Sequence, residues 1–198
     1  STIDTWLGLN LTSKKILGLD VSTRVVGYTV LDAKTGKHEY SSAIVLNSKA
    51  SFVARGTQVH DVLEDLNIKY DISEVWIEEP FMMFSKGGSS AQTMSRLSSF
   101  NGSIQYMCYM TFGLEPNMIN ANHARKTLDI KIQREKVCGI STKDQILAWV
   151  KLKLPKFVWP TKVMKSGPRK GMVVEEASCY DIADSFVVAN AGFVKSQS

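Results

Sequence analysis

The sequence predicts a mixed α/β fold, and three features of the apolar pattern point to it. Three strand-length apolar runs follow one another at the start of the chain. Apolar residues then recur at helical spacing from Phe52. From there on, strand-like and helix-like segments alternate to the end.

Lys15 to Asp20 reads as a buried strand: Ile16, Leu17 and Leu19 are apolar, and Asp20 ends the run. Val25 to Leu31 is a second strand. The turn residues Lys34-Thr35-Gly36 then connect it, as in a hairpin, to a third strand from Glu39 to Leu46. Phe52, Val59, Val62, Leu63 and Leu66 define a helix over Phe52 to Ile68. Glu74 to Glu79 is a short strand closed by Pro80. Ser89 to Phe112 is a long helix rich in Met and small residues, and Asn117 to Asn120 is a further strand. Ser141 or Thr142 caps a helix running to Leu154. Prolines, glycines and lysines make 155–174 a basic loop, and Glu175 to Val194 is the last helix. No linker or internal repeat divides the chain. The reading is therefore one domain over 1–198, with 1–13 as an N-terminal arm.

The chain has 198 residues, of which 44% are hydrophobic and 22% charged, enough for a real core and too apolar for disorder. Its net charge of +5 is compatible with a polyanionic partner. Cys108, Cys138 and Cys179 are odd in number, widely spaced and without a CxxC pair. That argues against a disulfide framework or a zinc site and for reduced thiols in an intracellular protein. No apolar run is long enough for a membrane span.

Four carboxylates occupy positions that catalysis could use. Asp20 and Glu78 end strands, while Asp181 and Asp184 lie three residues apart in CYDIADSFVVA. That spacing puts both aspartates on one helix face. Burying unpaired carboxylates costs about several kcal/mol, and a divalent cation offsets the cost. Mg²⁺ prefers carboxylate oxygen, and a pair of such ions serves phosphoryl transfer. Taken singly, a strand-end Asp is often a turn residue and a DxxD pair often a solvated face. Their joint placement carries the reading.

These segments resemble RuvC-type Holliday junction resolvases of the RNase H-like superfamily. ILGLDVSTRVVGYTVLD resembles the family's first hairpin, VWIEEPF its strand with the catalytic Glu, STKDQI a helix start bearing a Lys and a Gln, and YDIADSFVVA its final helix. ANHARKTL and the 155–174 loop look closer to phage or organellar members than to the usual bacterial enzyme. The resemblance implies an RNase H-like α/β fold, a five-stranded mixed sheet with helices on both faces. It implies Asp20, Glu78, Asp181 and Asp184 as catalytic metal ligands, with Mg²⁺ (Mn²⁺ substituting) and two ions per site. Neighbouring strand residues face opposite ways, so only one of Glu78 and Glu79 can face the metals. Glu78 is chosen because it follows Ile77 as the family's Glu follows its apolar residue.

The resemblance further implies a catalytic role for Lys143 beside the scissile phosphate, and stacking of Phe81, or of Met82, Met83 or Phe84 near it, on an unpaired base. It makes the 87–109 helix the interface of a homodimer, through Met94, Leu97, Phe100, Ile104 and Met107. Arg125, Lys126, Lys162, Lys165, Arg169 and Lys170 are candidate contacts to DNA phosphates. His123 is set aside as a catalytic group, and His38 and His60 as incidental. The implied activity is metal-dependent resolution of four-way DNA junctions. The alternatives are a nuclease of the same fold acting on flaps or RNA–DNA hybrids, or a non-catalytic branched-DNA-binding module. The first hairpin also resembles the phosphate-binding hairpin of actin-like ATPases and sugar kinases. The chain holds neither their second phosphate hairpin nor their Gly-rich adenosine segment.

Overall fold

The structure is a computed structural model that describes residues 13–82 and 90–198. Strands β1 (Lys15–Val21), β2 (Val25–Asp32) and β3 (His38–Val45) form an antiparallel meander. Helix α1 (Phe52–Lys69) leads into β4 (Ile72–Glu78), which pairs parallel with β1 on its free edge. Helix α2 (Ala91–Phe112) leads into β5 (Asn117–Ile119), parallel to β4. The sheet order is therefore β3-β2-β1-β4-β5. The chain continues through α3 (Ala121–Thr127), α4 (Glu135–Cys138), α5 (Thr142–Lys153), the strands β6 (Thr161–Val163) and β7 (Val173–Glu175), and α6 (Ser178–Ser196).

The pleat of β1 assigns its residues to two cores. Leu17, Leu19 and Val21 pack with Val59, Leu63, Phe100 and Ile104 under α1 and α2. Ile16 lies on the opposite face with Trp76, Ile146, Val150, Ala183 and Val187, under α5 and α6. Asp20 lies in step with Ile16, and Glu78 with Trp76, so both acids belong to the α6 side of the sheet.

Helix α6 lies directly on the strands because two of their residues lack a side chain. A Cβ on Gly18 would stand 2.6 Å from the Cβ of Ala189. One on Gly27 would stand 2.1 Å from the carbonyl oxygen of Asp181. A buried hydroxyl chain fixes the same layer. The Thr29 hydroxyl lies 2.7 Å from Ser41 Oγ and 2.9 Å from Ser185 Oγ, and Ser185 donates to the Ile182 carbonyl at 2.7 Å. His38 Nε2 lies 2.8 Å from Ser41 Oγ and brings the chain towards the edge strand.

The structure corrects several expectations. The 155–174 segment is not wholly loop: β6 and β7 pair antiparallel as a hairpin. Strands of three residues are too short to display alternation. The last helix starts at Ser178, because Glu175 pairs with Thr161 in the hairpin. The long helix starts at Ala91, and residues 83–89, including Met83 and Phe84, lie outside the described residues, as does most of the 1–13 arm. Helices α3 and α4, with seven and four residues, fell below the length at which periodicity speaks.

Candidate active site

The four acids come together on the α6 face, at the end of the sheet where β1 and β4 stop. Asp20 sits one residue before the end of β1, and Glu78 is the last residue of β4. Asp181 and Asp184 occupy the first two turns of α6, which Gly27 admits against the sheet. All four are half-buried. Glu79 is exposed and follows the strand, so the pleat decides for Glu78 on this face.

The electrostatics of the cluster follow from its burial and its like charges. Loss of hydration and the neighbouring Glu78, Asp184 and Asp181 hold the Asp20 carboxyl well above its ordinary range. Loss of hydration also raises Glu78, against the opposing effects of its hydrogen bond with Asp20 and the charge of Arg125. Burial, with Glu78 nearby, pushes Asp181 up to about 6. Burial, with Glu78 and Asp181 nearby, pushes Asp184 up to about 7, although Arg125 works the other way. Among the described residues, no three His, Cys, Asp or Glu side chains already stand in a metal-holding arrangement. Asp20 and Glu78 instead share a hydrogen bond. The donor set nevertheless fits a hard divalent cation: it is all carboxylate, crowded, and lacks enough positive charge nearby.

Linkage converts these shifts into a measurable effect. A carboxyl whose folded pKa lies above its unfolded value binds more protons in the native state. Its contribution to stability is full below about pH 4 and is lost as pH rises through about 6 for Asp181 and about 7 for Asp184. The melting temperature of the protein in EDTA should include this fall. Partial burial pushes the His38 ring down, and it acts in the opposite sense. The difference between wild type and Asp184→Asn therefore isolates the acid. The variant should melt roughly 5 °C above wild type at pH 8 in EDTA and level with it near pH 4. An unchanged difference across that range would refute the assignment.

Other predicted residues are placed as follows. Lys143 is exposed in the first turn of α5, with its Nζ 4.6 Å from the centre of the Tyr180 ring. Its charge opposes the upward shift of Asp181, which puts it at the rim of the acid cluster. The Tyr180 hydroxyl donates to Asp144 at 2.6 Å and ties α5 to α6 there. Phe81 is 66% exposed just beyond β4 and is not a core residue. Arg125 is half-buried on α3, and the exposed Lys126 lines a cavity beside it. Lys162, Lys165, Arg169 and Lys170 are exposed on the hairpin. His123 faces Lys195, with Nε2 3.1 Å from Nζ.

Two supporting residues gain roles that the sequence did not give them. Asn101, buried in α2, donates to the Glu78 carbonyl at 3.2 Å and so holds the end of β4. An Asn amid an apolar helical pattern was the available signal. The side-chain amide of Gln145 clamps Gln133, accepting from its N–H and donating to its carbonyl, each at 2.9 Å. It also donates to the Ile140 carbonyl at 2.9 Å. This clamp holds the basic segment carrying Lys131 and Arg134 against α5.

A five-stranded sheet in this order, with helices on both faces and carboxylates where the central strands end, defines an RNase H-like fold. Among solved structures the chain is similar to RuvC-type proteins. It overlays RuvC from Thermus thermophilus, in complex with a Holliday junction substrate, with a TM-score of 0.62 over 93% of this chain and 96% of that one, at 12% identity. A second Thermus thermophilus RuvC structure gives 0.59 over 92% and 95%, at 13% identity. The yeast mitochondrial Holliday junction resolvase Ydc2 gives 0.50 over 92% and 79%, also at 13% identity. No protein-family profile and no curated protein matches the sequence. At such identities the likeness establishes the fold, and the chemistry must come from the residues.

Proposed function

We propose that the chain is a metal-dependent endonuclease that resolves four-way DNA junctions. The observation that carries this reading is the convergence of Asp20, Glu78, Asp181 and Asp184 on one face of an RNase H-like sheet. The similar folds include a protein solved with a Holliday junction, which makes branched DNA the first substrate to test.

The four carboxylates would hold divalent cations, with Mg²⁺ as the ion, Mn²⁺ as its substitute and two ions per site. Bound there, the ions would supply Lewis-acid stabilisation of a phosphodiester undergoing attack by water. The protein's own residues do the rest. Lys143 places a fixed positive charge at the rim, facing the charge that develops on the phosphoryl oxygens. Arg125 and Lys126 bind backbone phosphates beside the acids. Phe81, exposed next to Glu78, offers its ring to an unpaired base. The hairpin residues Lys162, Lys165, Arg169 and Lys170 extend the cationic surface. The protein is thereby DNA-associated, and among the described residues no helix is long and apolar enough to cross a membrane.

The test is cleavage of a labelled synthetic four-way junction with Mg²⁺ or EDTA, beside a duplex, a flap and an RNA–DNA hybrid of the same sequence. Paired nicks near the crossover, dependent on metal and absent from the duplex, are expected. Preferential cleavage of the flap or hybrid would transfer the reading to that substrate. Binding without cleavage under every metal would make the chain a binding module.

A junction has near two-fold symmetry, so we assign a two-fold homodimer as the acting form. The 87–109 segment needs revision in detail. Met94, Phe100 and Ile104 are buried in the chain's own core. The face of α2 free for a partner instead carries Tyr106, Tyr109 and Met110, which are 65%, 54% and 62% exposed. Tyr106→Glu with Met110→Glu should shift the protein to monomer in analytical ultracentrifugation. It should also replace paired cuts by single nicks. Retention of a dimer by this folded variant would exclude α2 as the interface.

A further inference from the structure

The segment from Thr161 to Val173 contains four cations, Lys162, Lys165, Arg169 and Lys170, and no acid. It is also well built. Beyond the pairing of β6 with β7, Met164 N donates to Met172 O at 2.9 Å and Gly171 N to Met164 O at 2.8 Å. Gly167 and Gly171 take φ of 78° and 84° and close the turn. Glu176 N donating to Pro160 O at 2.9 Å closes the base of the hairpin, and the Lys151–Glu175 ion pair fastens it to α5.

One side of this basic hairpin is apolar and uncovered. Val163 and Val173 are direct cross-strand partners, so their side chains point the same way. They are 57% and 66% exposed. The opposite side faces the body: Lys162, Met164 and Val174 line a cavity shared with Tyr180 and Asp144. That cavity puts the hairpin against the first turn of α6, next to Asp181.

A polyanion satisfies the cations, but the phosphates of an intact duplex leave the valine pair wet. The pair can be covered only where base faces are exposed, which is where stacking is interrupted. Apolar side chains inserted at such steps are a known way of distorting nucleic acids. We infer that the β6–β7 hairpin is a wedge. Its cations bind the backbones, and Val163 and Val173 cover the unstacked bases at a branch point of DNA, beside the acid cluster. The inference rests on the junction-resolving function proposed above and adds the element that distinguishes branch from duplex.

The experiment compares binding, in Ca²⁺ and separately in EDTA, to a four-way junction carrying 2-aminopurine at the crossover and to a duplex of the same sequence. Val163→Thr with Val173→Thr keeps the β-branched shape and removes the apolar surface. It should cut the preference for junction over duplex roughly tenfold and lose most of the wild type's 2-aminopurine fluorescence rise. It should leave the salt dependence of binding unchanged. Lys165→Ala with Lys170→Ala should do the reverse, weakening binding to both DNAs and lowering the salt slope by about 2. Should the valine variant fail to fold by thermal melting, Val173→Thr alone reports on the same surface. Wild-type preference and fluorescence in the folded valine variant, or in Val173→Thr alone, would overturn the wedge while leaving junction cleavage standing. A wild type with no preference for the junction would overturn both the wedge and the proposed function.

Discussion

Asp20→Asn is expected to abolish junction cleavage while leaving junction binding within about twofold of wild type. Losing only an outer-shell partner of a metal ligand costs roughly 10–100-fold, so losing a ligand itself should exceed that. The substitution removes one of four crowded charges, keeps the shape of the side chain, and relieves repulsion in the metal-free fold. Glu78→Gln and Asp184→Asn should behave alike, because each contributes to the same cluster. Gel-shift binding in EDTA and single-turnover cleavage in Mg²⁺ separate the two effects. Cleavage by folded Asp20→Asn at a tenth of the wild-type rate, or loss of junction binding in all three variants, would refute the assignment.

Gly27→Ala should damage both stability and cleavage, although it adds only a single methyl group. The new Cβ would lie 2.1 Å from the Asp181 carbonyl oxygen and 2.4 Å from its carbon. Backbone cannot swing aside as a side-chain end can, so α6 must lift from β2. Overpacking of a core costs about 1–3 kcal/mol, and a collision with backbone falls at or above the top of that range. A fall in melting temperature of roughly 5–10 °C is expected. Lifting α6 also moves Asp181 and Asp184 away from Asp20 and Glu78. The protective effect of Mg²⁺ on melting should therefore shrink together with cleavage. Wild-type melting and cleavage in this variant would show that the helix does not seat as described.

Much of the site was legible because its residues lie on long, periodic elements. Asp20 and Glu78 are visible as polar ends of apolar runs, and the i, i+3 pair on α6 is visible as spacing. The choice of Glu78 over Glu79 needed the pleat, which Trp76 and Ile77 fix by entering different cores. The contribution of Arg125 to the charge balance was not legible. Its neighbours Glu78 and Asp184 are brought to it by β4 and α6, from distant parts of the chain. Phe100 and Ile104 illustrate a different limit. An apolar helical stripe says that something covers it, and here α1 and the sheet do. The hairpin at 161–175 escaped because Gly, Pro and Lys dominate a segment whose paired strands have only three residues each.

The order in which the chain emerges during synthesis has its own consequence. The first acid of the cluster is on β1 and the last two are on α6, with nearly the whole fold between them. A chain stopped anywhere before Ser178 lacks half the carboxylates and leaves Ile16 and Trp76 without the helix that covers them. Such a product would present a sticky sheet face to chaperones and proteases rather than a partly active nuclease. On the function proposed above, the capacity to cut DNA would be withheld from the nascent chain until α6 has docked.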